Sequence, residues 1–307
     1  MNKEQQTNWI KEKSIQLGFD ACGIAKAERL DSEEKKLTQW LTKHQHGEMK
    51  YMENHFEKRL NPCLLVDGAK SVITLIKNYF PEKKQTDNTP NISKYAFGKD
   101  YHEVIREKLK LFLQDIQFHM GEVQGRGFVD SAPVLERAWA VKSGLGWIGK
   151  NGNLILKKQG SFYFIATLII DLPLVYDQTY PYDYCGTCTQ CIDACPTNAI
   201  LPNKIIDGSK CISYYTIELK EAIQTPHQTW QDWVFGCDIC QDICPWNRFS
   251  KAHQEEAFMP FQEILSFSID EWKQLGEEQF NYRLKHSPLK RAGYKNLLQN
   301  MQFISKK

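Results

Sequence analysis

No stretch of this 307-residue chain is long and apolar enough to cross a bilayer; the longest, Phe162–Ile170, ends after nine residues at Asp171. The opening MNKEQQTNW is polar and lacks the apolar segment of an export signal, so a cytoplasmic protein with no membrane association is expected. Charge bias is missing too. Lys and Arg number 39 against 37 Asp and Glu, and a net charge of +2 leaves the overall balance silent about partners. No Walker A loop and no Rossmann unit of strand, glycine turn and helix is read, which argues against a bound dinucleotide. Cysteine is scarce outside one region: only Cys22 and Cys63 lie elsewhere, and both are expected to be buried reduced thiols.

That region holds the other eight cysteines. It reads Cys185-Gly-Thr-Cys188-Thr-Gln-Cys191-Ile-Asp-Ala-Cys195-Pro196, then a lone Cys211, then Cys237-Asp-Ile-Cys240-Gln-Asp-Ile-Cys244-Pro245. The first run is the C-x2-C-x2-C-x3-C-P pattern of bacterial two-cluster iron–sulfur proteins, in which the fourth cysteine ligates the other cluster. Two-residue gaps let successive thiolates curl around one core, and proline after the last cysteine stops the chain continuing as a helix. The crossover assigns Cys185, Cys188, Cys191 and Cys244 to one [4Fe–4S] cluster. It assigns Cys195, Cys211, Cys237 and Cys240 to a second, with Cys211 replacing a missing leading cysteine. Structural zinc suits C-x-x-C pairs but fits a run of four cysteines closed by Cys-Pro poorly. A disulfide scaffold suits neither the chain length nor the absence of a secretory signal.

Ahead of the cysteines, helical and strand patterns alternate. Apolar positions at Trp9, Ile10, Ile15 and Leu17 predict a helix over residues 1–17, and Phe19–Ala25 predicts a strand. Asp31 with Glu34, and Asp100 with Glu103, have capping-box spacing. The second box opens a helix with Val104, Ile105, Leu109, Phe112, Leu113 and Ile116 on its apolar face. Strands are expected at Ser71–Ile76 and Val123–Val129, and a helix from Ser131-Ala-Pro133 to about Lys142. Residues 153–157 and 161–170 are expected to form a hairpin around Gln159-Gly160. His44, His46 and His55 match no metal spacing and are expected in water. The polar stretch 81–93 is expected to line a mouth or stay mobile.

Two stretches carry weaker signals. Gly144 to Asn153 holds closely spaced glycines that allow backbone to approach a ligand, and Lys150 could meet a phosphate; a plain helix–strand connection fits as well. From Asn281 onward the chain has Arg283, Lys285, Lys290, Arg291, Lys295, Lys306 and Lys307 and no acidic residue. Beside Tyr282, His286 and Tyr294, these cations suit a phosphate backbone with stackable bases, or simply a solvated basic tail. The expected organisation is an α/β domain over 1–172, a cluster domain over 173–250 and a helical basic tail over 251–307. Clusters move one electron at a time, so the large first domain points to an enzyme rather than a pure carrier.

The segments Arg59-Leu-Asn-Pro62, Phe97-Gly-Lys-Asp-Tyr-His102, Gly127-Phe-Val-Asp130-Ser-Ala-Pro-Val-Leu-Glu-Arg137 and Gly144–Asn151, followed by the cysteine array, resemble the epoxyqueuosine reductase family in order over roughly residues 1–300. The resemblance implies a nitroreductase-like cobalamin-binding module fused to a bacterial ferredoxin-like module with two [4Fe–4S] clusters. It implies reduction of epoxyqueuosine to queuosine at the wobble position of tRNA with a GUN anticodon. Asp130 takes the proton-donor position; as an alternative it is merely a helix N-cap, where the helix dipole would favour its carboxylate. Cobalamin contacts are implied at Arg59, Asp130, Ile148, Gly149, Lys150, Asn151, Gly152, Asn153 and Ser213. Asp100-Tyr-His102-Glu-Val-Ile105 begins like the Asp-x-His-x-x-Gly motif of histidine-ligated cobalamin proteins but has Ile105 for glycine. His102 is therefore read as no cobalt ligand, and the cobalamin as base-off. The helical repeats that many members carry after the cluster domain are not read here, so the tRNA grip is expected either on Arg283, Lys285, Lys290, Arg291 and Lys295 or on a surface nearer the active-site mouth. A low-potential donor such as flavodoxin or ferredoxin and a monomeric state complete the expectation. The competing readings are a cobalamin-dependent reductive dehalogenase, for which a twin-arginine signal is missing, a ferredoxin-like electron carrier, and a tRNA-binding protein with structural clusters.

Overall fold

In the computed structural model, which describes residues 1–219 and 230–305, the first half is built on one four-stranded antiparallel sheet. Along the chain come α1 (Lys3–Gln16), β1 (Ala21–Lys26), α2 (Asp31–Thr42), α3 (Phe56–Leu60), β2 (Ser71–Asn78), β3 (Asn91–Ile92), α4 (Tyr101–Met120), β4 (Gly125–Phe128), α5 (Glu136–Lys142), β5 (Trp147–Ile148), β6 (Leu154–Ile155) and β7 (Tyr163–Ile170). The sheet order is β1-β2-β7-β4. Both central strands are buried almost throughout, because helices cover both faces. Alternate side chains go opposite ways: Ile73, Leu75 and Leu168 pack under α4, while Val72 and Ile169 pack with Trp139 of α5. Gly127 is required where β4 crosses α4, since a Cβ there would come within 2.8 Å of the Leu109 side chain.

The cysteine region follows as α6 (Gln190–Asp193), β8 (Ile200–Leu201), β9 (Ile205–Ile206), β10 (Trp233–Phe235) and α7 (Ile239–Asp242). The C-terminal part holds α8 (Gln262–Ser266), α9 (Ile269–Arg283) and α10 (Tyr294–Ile304). It is a packed unit rather than a solvated tail. Trp230, Trp272, Phe280, Leu297 and Met301 form one core with Ile92, Ala96 and Phe97 of the first half, and β10 pairs with β3. Truncating Trp272 to alanine would cost about 3–5 kcal/mol.

Several expectations are corrected. Residues 153–157 and 161–170 do not form a hairpin. Both edges of β7 are taken by β2 and β4, so β6 pairs back on β5 and only a Leu156–Gly160 bridge remains at the turn. The helix expected from Ser131 starts at Glu136, with Leu135 as its N-cap. Asp31 and Glu34 form no capping box; both bind Arg29, at 2.8 and 2.7 Å. Asp100 does cap α4, accepting from the His102 N–H, but Glu103 turns to His286 instead. The 81–93 stretch is pinned, not free, with Gln85 and Thr86 bonded to the backbone of Ile264 and Leu265. His46 is buried beside Trp40 and bonds Glu53 at 2.7 Å, so it is not a solvated histidine. Cys63 is exposed, on a surface turn at Pro62–Leu64. Among the described residues no helix is long and apolar enough to cross a membrane.

Candidate active site and cluster sites

A cavity of about 1740 Å³ lies between the α5 face of the sheet and the cysteine region, walled by α2, α5, β5, the β8–β9 hairpin and the loop after β4. Asp130 stands in that loop with φ +53°, a left-handed conformation uncommon for a residue with a side chain. It is no N-cap, since α5 starts beyond it, and the helix-dipole conflict disappears with that helix boundary. Its carboxylate accepts a hydrogen bond from the Tyr101 hydroxyl at 2.5 Å, and His102 Nε2 lies 3.8 Å away. Behind it, His102 Nδ1 donates to Asp100 at 2.8 Å. The Asp130 N–H donates to the Glu136 carboxyl at 3.0 Å.

Each neighbour is tuned by its surroundings. Burial, then the charge of Asp130, pushes the Tyr101 hydroxyl well up, so it stays a proton-bearing donor. Burial would raise Asp100, but hydrogen bonds from the side chain and backbone of His102 outweigh it and hold the carboxyl down. Glu136 is pushed up to about 8 by burial and by the charge of Asp130. Tyr101 and Glu136 both lie inside the motifs quoted from the sequence, yet only the fold reveals that they hold Asp130.

Of the residues expected to touch a cofactor, Arg59, Asp130, Ile148, Asn151 and Gly152 line the large cavity. Buried Arg59 donates to the Tyr51 and Asn54 carbonyls and so fixes that wall. Gly149, Lys150, Asn153 and Ser213 are not among its lining. The Lys150 ammonium donates to the carbonyls of Gly186 and Cys188, at 2.8 and 2.9 Å, instead of facing a phosphate. Asn151 Nδ2 donates to the Cys240 carbonyl at 2.9 Å. Two consecutive residues thus bolt the glycine loop to both cysteine segments. Arg137, missed from sequence, ties α5 to the same loop through the Gly152 carbonyl at 2.6 Å.

The glycines of this loop serve packing first: a Cβ on Gly146 would collide with the Ile155 carbonyl, 2.1 Å away. Gly144, Gly146 and Gly149 do have G-x-G-x-x-G spacing, and Lys150 follows as in a Walker A loop. They lead from a helix into a hairpin, however, and Asn151 stands where Walker A has Ser or Thr, so neither phosphate cradle is formed.

Cys195, Cys211, Cys237 and Cys240 surround a second cavity of about 160 Å³, with Ser213 beside Cys211. Asn151 lines both cavities. Cys191 is grouped with Cys185, Cys188 and Cys244.

On the C-terminal part, Lys285, Lys290 and Lys295 are exposed, whereas Arg283 pairs with Glu263 and Arg291 with Glu218. Arg291 reaches the large cavity, and the His286 carbonyl accepts from the Asp100 N–H, which places this basic turn beside the Asp130 wall. Tyr282 is exposed, but Tyr294 is buried with its hydroxyl on the Trp272 carbonyl, so it is not free to stack. Lys306 and Lys307 lie outside the described residues.

Comparison with known proteins gives a consistent answer. The family model for epoxyqueuosine reductase QueG (DUF1730) matches residues 59–131, and that for a 4Fe-4S double cluster binding domain matches 184–247. An epoxyqueuosine reductase of Cellulophaga algicola is 55% identical over 98% of this chain and 99% of its own. That of Escherichia coli is 38% identical over 98% of this chain and 81% of its own. A crystal structure of epoxyqueuosine reductase with an epoxyqueuosine-modified tRNA-Tyr stem loop aligns at TM-score 0.86 and 27% identity, covering 99% of this chain and 81% of that one. The catabolic reductive dehalogenase NpRdhA shares the fold alone, at TM-score 0.53 and 16% identity over 97% of this chain and 38% of its own. On these matches the chain belongs to the epoxyqueuosine reductase family.

Proposed function

We propose that this protein reduces epoxyqueuosine at the wobble position of tRNA to queuosine, with a corrinoid in the large cavity and two [4Fe–4S] clusters as its electron supply. The observation that carries the reading is the position of that cavity. Asp130 stands on one wall, and Asn151 on another is hydrogen-bonded to the backbone of a cluster cysteine. The fit is one of size and chemistry: about 1740 Å³ with mixed polar and apolar walls suits a large macrocycle. A structure in the same fold group addresses B12-dependent dehalogenation. When bound, the corrinoid would supply a two-electron reducing centre at cobalt.

The chain's own residues do the rest. Removing the epoxide oxygen as water takes two electrons and two protons. Asp130 gives the proton to the oxygen as the ring opens, a step typically worth 10²–10⁴-fold. Tyr101 holds the carboxylate and Glu136 holds its backbone, fixing where the proton is delivered. His102, anchored by Asp100, stands one step behind as the return path for a proton. Both His102 nitrogens face carboxylates, Nδ1 that of Asp100 and Nε2 that of Asp130, so the imidazole would serve them rather than ligate cobalt. The exposed Lys285, Lys290, Lys295 and Tyr282 flank the basic turn and would grip the anticodon arm. Anaerobic incubation of the reconstituted protein with epoxyqueuosine-containing tRNA, followed by nucleoside mass spectrometry, tests this. Queuosine formation is expected. Its absence, with clusters and corrinoid bound, would defeat the proposal.

A further inference from the structure

We infer that the surface over Cys185 and Cys244 is the docking site for an acidic one-electron carrier protein. Lys157 and Lys158 at the turn before β7, and Arg248 and Lys251 after Cys244, are all exposed, and no ion pair occupies them among the described residues. The two segments are stitched together: the Ser161 N–H donates to Asn247 at 2.7 Å and the Ser250 hydroxyl to the Gln159 carbonyl at 3.5 Å. Beneath the cations lies a patch of rings. Tyr184 and Trp246 have centroids 5.7 Å apart, and Trp246 and Phe249 6.0 Å. Lys157 donates to the Tyr184 hydroxyl at 3.0 Å, and the Arg248 guanidinium sits 4.5 Å over Phe249.

These rings adjoin the cysteines in the chain itself: Tyr184 precedes Cys185, and Trp246 follows Cys244-Pro245. Of the nearby acids, Asp183 is neutralised by Lys204 and Asp242 by Lys94, each at 2.7 Å, Asp193 accepts from the Thr189 hydroxyl, and Asp20 lies at the edge, accepting from the Asn78 N–H, which leaves two acids against four cations. The patch is therefore net positive, and complementary charge steers encounter more than it adds affinity. The need for such a partner follows from the reaction. Two electrons are consumed per oxygen released as water, and clusters take them up one at a time, so sustained turnover draws them from an outside carrier. Each docking oxidises the carrier by one electron and reduces the cluster of Cys185, Cys188, Cys191 and Cys244 by one, and two dockings complete a turnover. An RNA also favours cations over rings. The Asp130 wall, however, has its own basic turn at Lys285–Arg291, whereas this patch borders a cysteine group.

The inference rests on the assignment of Cys185, Cys188, Cys191 and Cys244 to one cluster, and its test separates the two. Holoenzyme carrying Lys157→Glu and Arg248→Glu is mixed in a stopped-flow instrument with a reduced acidic flavodoxin, and cluster bleaching is followed. The second-order rate is expected to fall at least tenfold at low salt, the wild-type rate to drop as salt rises, and the cluster EPR and reduction by saturating dithionite to stay unchanged. An unchanged flavodoxin rate overturns the inference. So does an unchanged rate combined with lost affinity for a tRNA anticodon stem loop, which would give the patch to RNA. A wild-type holoenzyme with one cluster instead of two would overturn the cysteine assignment instead.

Discussion

The two cysteine groups offer the same four thiol ligands in different surroundings. Cys185, Cys188, Cys191 and Cys244 are ringed by exposed Gly186, Thr187, Thr189 and Ile243, and by the basic patch. Cys195, Cys211, Cys237 and Cys240 sit among buried Thr197, Ile200, Ile212, Asp238 and Gln241 and share Asn151 with the large cavity. Exposure and hydrogen bonding set a cluster's potential and its access to water. On the proposed assignment, the shallow group would take electrons from outside and the deep one would pass them on to the cavity. Identical ligands acquire opposite roles from what packs around them.

Breaking the deep site should have the largest effect. Cys240→Ser is expected to remove one cluster and abolish turnover, even for protein reduced chemically beforehand. Cys188→Ser should lose the other cluster and steady-state activity but keep a single turnover after chemical reduction. Iron analysis and single-turnover nucleoside mass spectrometry compare the two; equal losses would erase the distinction. Asp130→Asn comes next. Turnover should fall about 10²–10⁴-fold while corrinoid absorbance shows binding retained.

A smaller effect concerns pH. Glu136, held up to about 8, is protonated at pH 7; its carboxyl ionises as pH rises through that value, placing a second charge beside Asp130. The pH profile of turnover should therefore carry a limb near pH 8 that belongs to Glu136, and Glu136→Gln should remove it. The stability sign is fixed as well. The folded state holds a proton that the unfolded chain releases near 4.5, so stability is full below that pH and is lost progressively up to about 8. Urea titrations across this window check it. Smallest of all, Asn151→Ala removes one hydrogen bond to the Cys240 carbonyl, worth about 1 kcal/mol, and should slow electron transfer from the deep cluster without losing iron.

What the sequence made legible was local. Cysteine spacing is a statement about neighbours along the chain, and the Asp130 segment keeps its residues together, so both could be read directly. Long-range choices could not. An apolar run followed back across Gln159-Gly160 looks like half of a hairpin until β2 and β4 are seen to occupy both edges of β7. Pro133 looks like a first helical turn, but the chain spends residues 130–135 holding Asp130 in a left-handed bend before α5 begins. Lys150 looked available to a phosphate because its carbonyl partners lie 36 and 38 residues away. The basic tail looked solvated because the C-terminal core is completed by Ile92, Ala96 and Phe97 from the first half.

The most direct test is the magnetic coupling between cobalt and cluster in anaerobically reconstituted, partly reduced protein. EPR should show the Co(II) signal broadened by a neighbouring reduced cluster, without nitrogen splitting from a histidine, and the broadening should vanish in Cys240→Ser but survive in Cys188→Ser. A cobalt signal that is unbroadened in the parent protein, or that loses its broadening equally in both variants, would contradict the account.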